Sequence, residues 1–252
     1  MKLMNRNISF SLVILLLSCF LLGAGQQQTE PVDYWKKKVL EAHGGIDAIK
    51  QISTLAFSGK IITRGDSGTV MLTLSRPGQL RATMKYTKRC EDRILSEKSG
   101  WRDFGNGFEK AVGHSLEAML FQYDHLNLPM GFFDKRFEIS YHELKVGEKG
   151  VPVLEFLSRE EPPMAVVIDP ETGLIRQVTG KITMGGHEVQ MGVGYGDYRR
   201  VEGVMLPHRI VNYVNGMAIA DSRYENVRIN SPLNPETFDI SASHCRTTVP
   251  DK

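Results

Sequence analysis

Three features are scarce in this sequence: an excess of charge of one sign, long apolar runs and cysteine. Lys and Arg total 31 against 29 Asp and Glu among 252 residues, which gives a net charge of +2. A chain without a basic excess has no overall field that attracts nucleic acid, so we expect no nucleic-acid partner. Beyond the first residues, no uniformly apolar run reaches the length of about 20 residues that a membrane-spanning helix needs. The sequence therefore does not predict an integral membrane protein.

The first 25 residues have the pattern of a signal peptide. Lys2 and Arg6 supply positive charge, ISFSLVILLLSCFLL supplies an apolar stretch, and GAGQQQ supplies small residues before a polar segment. We predict a signal peptide over 1–25, a linker over 26–32 and soluble export across the inner membrane. The run Leu16-Leu17-Ser18-Cys19 also resembles a bacterial lipobox, so lipidation at Cys19 is the alternative.

Three cysteines are present, and cleavage of the predicted signal peptide would remove Cys19. Cys90 and Cys245 then form an even pair in an oxidising compartment, where a disulfide is plausible and two free thiols are the alternative. Neither cysteine has the ligand spacing of a zinc site. We expect no metal and no cofactor.

Two short helices are predicted by YWKKKVLEAHGGIDAIKQI, with Tyr34, Val39 and Leu40 on one face of the first. Gly44-Gly45 follows that helix without a preceding strand and without a following Lys-Ser or Lys-Thr, so it is not a phosphate-binding loop. The glycine pair is expected to end the helix and turn the chain.

From Leu55 onward the hydrophobic period becomes two, which is typical of strands with one apolar and one solvent-facing side. In LRATMKY, for example, Leu80, Ala82 and Met84 alternate with Arg81 and Thr83. Turn-rich stretches such as RGDSG and DPETG separate the runs, which predicts an antiparallel meander. In HEVQMGVGY, the apolar residues Val189, Met191 and Val193 alternate with Gly192 and Gly194, so one face of that strand is nearly bare.

A helical insertion separates the two groups of strands. Leu116, Met119, Leu120 and Tyr123 recur at helical spacing within FEKAVGHSLEAMLFQYDHLNLPMGFFD. The insertion either closes one end of the core as an ordinary helix or covers an apolar cavity as a lid.

Several stretches together resemble the LolA/LolB-type periplasmic fold of outer-membrane lipoprotein-sorting proteins. They are HGGIDAIKQISTLAFSGKI, SGW, DPETGLIRQV, YRRVEGVMLPHRIVNY and YENVRINSPLNPETFDI. The resemblance covers Asp33 to Ile240, so we expect one LolA-like half-barrel domain over 33–240 and a C-terminal tail over 241–252. It implies a mainly β fold: an unclosed, strongly curved antiparallel β-barrel with an N-terminal helix and a helical lid over a cavity for acyl chains.

In LolA a buried arginine is associated with holding the lid closed. Arg76, Arg81 and Arg93 are the candidates by position, although Arg81 lies on the polar side of its predicted strand.

Catalytic patterns are incomplete. GHSLE resembles a Gly-x-Ser-x-Gly nucleophile elbow, but Glu117 replaces the second glycine, and we interpret Ser115 as a helix N-cap. HELK at His142 lacks the second histidine of a zinc protease.

The sequence thus predicts a periplasmic carrier that binds a hydrophobic ligand, either a lipid or the acyl chain of a lipoprotein, with transient membrane contact. The alternatives are an interaction module with a filled barrel that docks to an envelope protein, and a lipid hydrolase. The residues predicted to line the cavity and its lid are Leu72, Leu74, Met84, Val189, Met191, Val193, Met119, Leu120 and Tyr123.

Overall fold

The computed structural model describes residues 29–159 and 161–245. The helices are α1 (Thr29–Ala42), α2 (Ile46–Lys50) and α3 (His114–Leu126), with 3₁₀ turns at Met130–Phe133 and Pro235–Phe238. The strands are β1 (Thr54–Thr63), β2 (Asp66–Ser75), β3 (Gln79–Tyr86), β4 (Cys90–Ser96), β5 (Ser99–Asp103), β6 (Glu109–Ala111), β7 (Glu138–Val146), β8 (Lys149–Leu157), β9 (Met164–Ile168), β10 (Ile175–Met184), β11 (His187–Val201), β12 (Val204–Val214) and β13 (Met217–Ile229). Within the described ranges, no helix is long and apolar enough to cross a membrane. The predicted signal peptide and Cys19 lie outside the described residues.

The strands form one antiparallel sheet of 13 strands in the order β6-β5-β4-β3-β2-β1-β13-β12-β11-β10-β9-β8-β7. Two meanders, β1 to β6 and β7 to β13, meet where β1 pairs with β13. The edges β6 and β7 do not pair, so the sheet stays open. The chain must cross from one edge to the other between β6 and β7, and this crossing contains α3. The predicted unclosed antiparallel barrel with a helical insertion is confirmed.

Alternation along the strands buries one side of the sheet, here called the inner face. On β1, Leu55, Phe57 and Ile61 are buried, whereas Ile62 points outward and is 57% exposed. Phe57 lies opposite Leu72 of β2. Because neighbouring strands are in register, their apolar residues meet on the same face and form a continuous core.

Helix α1 contacts β7 and β8, and the turn that follows it packs on the hairpin between β11 and β12. Helix α1 begins at Thr29, inside the segment predicted as a linker, and it buries Val39 and Leu40. Tyr34 was predicted to share a face with these two residues, and that prediction is wrong because its side chain is 57% exposed. The chain turns at Gly44, where φ is 117° and a Cβ would lie 2.5 Å from the Gly203 carbonyl oxygen. Only glycine fits this close backbone approach.

Residues 231–245, here called the C-terminal segment, cover the outer face of β3 and β4. A disulfide joins Cys245 to Cys90 across 155 residues of sequence. The Arg81 guanidinium donates to the Thr237 carbonyl (Nη1–O 3.1 Å) and to the Ala242 carbonyl. Residues 241–245, predicted as a tail, are therefore attached to the sheet.

A buried ion pair lies beneath this segment. Arg81 donates to both oxygens of Asp92, at 3.1 Å from Nε and 2.6 Å from Nη2. Asp92 also accepts from the Thr83 hydroxyl and from the His244 backbone N–H. Arg81 and Thr83 were predicted on a solvent-facing side, and that prediction is wrong because the C-terminal segment buries them.

Candidate functional site: the inner face beneath helix α3

Helix α3 packs against the inner face and spans both halves of the sheet. Its side chains Met119, Tyr123 and Leu126 are buried. Met119 packs on Gly100 of β5, where its Sδ would lie 3.1 Å from an added Cβ. On the other half of the sheet, the Phe121 ring covers Gly180 of β10, and a Cβ there would lie 2.7 Å from the ring. The missing side chain of Gly180 thus allows the helix to approach β10.

The nine residues predicted to line a cavity occupy two kinds of position. Six belong to the hydrophobic core, namely Leu72, Leu74, Met84, Met119, Tyr123 and Val193. The other three, Leu120 of α3 and Val189 and Met191 of β11, are half-buried. Met119 and Tyr123 lie on α3 itself, and Leu72, Leu74, Met84 and Val193 lie on the sheet, so the helix and the sheet share one buried core.

A small cavity remains at the side of the helix, between α3, β9 and β10. Its volume is about 70 Å³, and its apolar lining comes from Leu120, Phe121, Phe137, Pro162, Met164 and Gly180. Pockets for small ligands usually have about 300–1,000 Å³. An acyl chain therefore fits in this cavity only if α3 moves away from the sheet.

Dispersed side-chain hydrogen bonds hold α3 in place. The Tyr123 hydroxyl accepts from the Gly78 N–H at 2.7 Å, and Glu117 accepts from the Thr183 N–H at 2.7 Å. Arg93 donates to Gln122 at 3.2 Å. A neutral hydrogen bond such as that of Tyr123 contributes about 0.5–1.5 kcal/mol, and those that involve the charged Glu117 and Arg93 contribute about 1.5–3 kcal/mol each.

Of the three candidate arginines, Arg93 is the one whose guanidinium is bonded to α3. Arg76 donates instead to the Ile52 carbonyl, and Arg81 lies on the outer face. Arg93 and its neighbour Arg102 both pair with the buried carboxylate of Glu91, at 2.7 and 2.6 Å.

Ser115 does not cap α3 as predicted. The N-cap is Gly113, and Ser115 lies within the first turn. Its Oγ accepts a hydrogen bond from the Arg102 guanidinium at 3.0 Å. A guanidinium stays protonated and cannot serve as the base that activates a nucleophilic serine. In the described part of the chain, no group of three or more His, Cys, Asp or Glu residues is placed to hold a metal ion.

The rim of the small cavity carries an acidic cluster that the sequence did not predict. Arg136, which follows the Met130–Phe133 turn, bonds Asp124 of α3 at 2.9 Å and Glu161 at 3.1 Å. It also bonds Asp134 at 2.9 Å. Burial and the nearby Glu161 carboxylate raise the pKa of Asp124 to about 7, although Arg136 opposes the shift.

Asp124 had a visible signal in the sequence. It follows Leu120 by four residues and therefore lies on the apolar stripe of the helix, where an acid is unusual. Glu161 and Arg136 had no comparable signal, because they lie in connections between elements.

His125 anchors the end of the helix without contributing a charge. The Tyr195 hydroxyl of β11 donates to the His125 carbonyl and lies 3.0 Å from its Nδ1. Burial lowers the pKa of His125 to about 3, so the ring is neutral at ordinary pH.

A second concavity, of about 700 Å³, lies on the outer face of β7 to β12. The bare strand predicted from the sequence forms part of its floor, with Tyr213 packed against Gly192 and Gly194. Leu144 and Val146 of β7 are exposed at its edge. Unlike the inner cavity, this groove is open without any movement of the helix.

The architecture defines a class: the chain has the LolA-like fold, as the sequence resemblance implied. The crystal structure of a LolA superfamily protein from Nitrosomonas europaea matches 81% of this chain and 96% of its own, with a TM-score of 0.53 at 11% identity. An outer membrane lipoprotein-sorting protein domain from Vibrio parahaemolyticus matches 83% of this chain and 98% of its own, with a TM-score of 0.50 at 10% identity. At these identities the likeness shows the fold alone. The sequence matches no family model and no curated protein.

Proposed function

We propose that this protein binds a hydrophobic ligand, a lipid or the acyl chain of a lipoprotein, between helix α3 and the inner face of the sheet. We further propose that it does so in the periplasm, as a carrier that contacts the membrane transiently. The observation that carries the proposal is the position of α3. The helix covers the apolar inner face, borders an apolar cavity, and is tied to the sheet by separate side-chain hydrogen bonds.

The energies are compatible with such a movement. Breaking the hydrogen bond from Gly78 costs about 0.5–1.5 kcal/mol, and breaking those from Thr183 to Glu117 and from Arg93 costs about 1.5–3 kcal/mol each. An acyl chain gains about 0.8 kcal/mol for every methylene that it buries. A chain with about ten buried methylenes gains about 8 kcal/mol, which exceeds the loss of those bonds. The ligand would also replace α3 as the cover of the inner face.

The first test is retention of a lipid or a hydrophobic fluorescent probe. We expect native mass spectrometry of protein purified from its own envelope to show bound lipid, which competing fatty acid displaces. Leu120→Asp and Met191→Asp place a charge on the two sides of the proposed site and are expected to reduce probe binding at least tenfold. Burial of an unpaired carboxylate opposes occupancy by an apolar chain.

Ile62→Asp is the matched control, because Ile62 is an exposed apolar residue on the outer face. It should leave probe binding unchanged. If wild-type protein binds neither lipid nor probe, or if both inner-face variants retain binding while folded, the proposal is wrong.

A second candidate function is an interaction module that docks to an envelope protein. The packing of the six core residues and the open outer groove favour it. It predicts that Leu144→Asp with Val146→Asp removes a co-purifying protein, while the inner-face variants leave that protein bound.

A further inference from the structure

The acidic cluster lies where the covering helix meets two other segments. Asp124 belongs to α3, Glu161 lies between β8 and β9, and Arg136 lies between the Met130–Phe133 turn and β7. The Arg136 guanidinium bonds both Asp124 and Glu161, and it also bonds Asp134. The cluster is therefore a contact between the helix and the body of the protein.

This contact has more negative than positive groups. Asp124, Asp134 and Glu161 converge on the single guanidinium of Arg136. The Asp124 side chain is 9% exposed and the Glu161 side chain 11% exposed. Two buried carboxylates that share one cation repel each other when both are ionised.

One buried carboxylate oxygen of the cluster lacks a hydrogen-bond donor. Glu161 Oε2 is buried and has no hydrogen-bond donor in the described structure. A buried acceptor without a donor is unfavourable by about 1–3 kcal/mol. A proton shared between Asp124 and Glu161 would supply that donor and remove the repulsion at the same time.

Other charged groups surround the cluster, and the guanidinium that bonds Asp124 is that of Arg136. Lys181 of β10 lines the same cavity but is 2.6 Å from Glu188. Glu117 of α3 accepts from the Thr183 N–H. Glu117 and Lys181 line the small cavity together with Asp124 and Glu161. The adjoining cleft, which Arg136 and Glu161 also line, contains the charged residues Lys98, Lys135, Glu138 and Arg159. Arg76 acts on Asp134 and Tyr123 from the turn after β2.

We propose that the Asp124–Glu161 pair is a proton-operated latch: a shared proton holds α3 against the sheet, and loss of that proton favours release of the helix. The latch would regulate access to the ligand site proposed above, and its biological purpose rests on that proposed function. The effect of the proton on the position of α3 does not depend on that function.

The direction with pH follows from linkage. In the closed state the pKa of Asp124 is raised, whereas in an open state its carboxyl meets water and has an ordinary pKa of about 3.9. The closed state therefore binds more protons between these values, and opening becomes more favourable as the pH rises. The opening constant should rise by up to about tenfold per pH unit from about pH 4 and level off above about pH 7. His125 does not titrate in this range, because its pKa is lowered to about 3.

Hydrogen–deuterium exchange of the backbone amides of α3, in the full chain without ligand, tests the latch. After division by the intrinsic exchange rate at each pH, the wild-type helix should open at least tenfold more at about pH 7 than at about pH 5. Asp124→Asn carries the neutral form permanently and should keep the low-pH opening at both values. Asp221→Asn is the control, since it removes a carboxylate paired with Arg209 on another strand, and it should retain the wild-type pH dependence.

A second variant covers the case in which Asp124→Asn does not fold. Glu161→Gln removes a carboxylate that helps to raise the pKa of Asp124, so the rise in exchange should level off at lower pH and reach a smaller total increase. Corrected exchange that is independent of pH in the wild type, or an unchanged profile in the folded variants, would overturn the latch.

Probe uptake measured in parallel separates the two proposals. Exchange that depends on pH together with no uptake at any pH supports the latch and rejects the ligand site. Uptake together with exchange that is independent of pH supports the ligand site and rejects the latch.

Discussion

Two segments outside the sheet cover its opposite faces, and they are attached in different ways. The C-terminal segment covers the outer face and is joined to the sheet by the Cys90–Cys245 disulfide and by the Arg81–Asp92 pair. Both carboxylate oxygens of Asp92 accept from Arg81, and one also accepts from the His244 N–H of the segment. Helix α3 covers the inner face and has no covalent link there. Its contacts are apolar packing, separate hydrogen bonds and a cluster with one unsatisfied carboxylate oxygen.

The difference shows which covering is suited to move. Opening the C-terminal segment would leave the Asp92–Arg81 pair without its carbonyl and N–H partners and would still be limited by the disulfide. Opening α3 exposes its buried apolar side chains and breaks the Asp124–Arg136 pair and separate hydrogen bonds, but it meets no covalent link and it relieves repulsion between ionised carboxylates. We infer that the outer covering is a permanent part of the fold and that the inner covering is the mobile one.

The largest expected effect breaks the outer covering. Arg81→Ala leaves Asp92, which is 0% exposed, without its counter-ion. Removal of one partner from a buried ion pair typically destabilises a protein by about 3–5 kcal/mol. Denaturant unfolding without reductant measures this loss. Arg209→Ala breaks a more exposed bidentate pair with Asp221 and should lower the free energy of unfolding by less than about 1 kcal/mol. Equal losses in the two variants would contradict the importance given to the buried pair.

Removal of the disulfide should have the next largest effect. Cys90→Ser with Cys245→Ser is expected to lower the free energy of unfolding by about 2–4 kcal/mol, because the unfolded chain regains the freedom of a loop that spans 155 residues. Exchange of amides in 231–245 should increase, whereas exchange of α3 should change little. Increased exchange in α3 of similar size would show that the two coverings are coupled, against the comparison drawn here.

The smallest effect concerns one attachment of the helix. Arg93→Ala and Gln122→Ala each remove one side of a 3.2 Å hydrogen bond, and their coupling in a double-mutant cycle should be about 1 kcal/mol or less. Amide exchange should rise in α3 and stay constant in the C-terminal segment. A coupling energy as large as the effect of Arg81→Ala would show that the helix is anchored as firmly as the outer covering.

Much of the fold could be predicted from local pattern. The alternation that begins at Leu55 reflects the pleat of a strand, and the spacing of Leu116, Met119 and Tyr123 reflects the turn of a helix. The prediction that one side of β3 faces solvent failed, because Arg81 and Thr83 lie beneath a segment more than 150 residues away in sequence. Strand alternation carries no information about what covers the second face.

The candidate site was less predictable than the fold. The residues expected to line it remain a prediction, since most of them pack in the closed core. The N-cap assigned to Ser115 was wrong because Gly113 begins the helix, while Ser115 meets an arginine from β5. Asp124 was identifiable as an acid on an apolar stripe, but its partners were not.

The sequence by itself determined the strands and the covering helix, because these depend on hydrophobic period and turn residues that act over short distances. The open sheet was an implication of the resemblance to the LolA-like fold. Only the tertiary structure decided which face each segment covers, that β1 pairs with β13, and that Asp124, Arg136 and Glu161 meet. Those outcomes depend on contacts between distant parts of the chain, where burial places an ion pair beneath one covering segment and raises the pKa of a carboxyl group beneath the other.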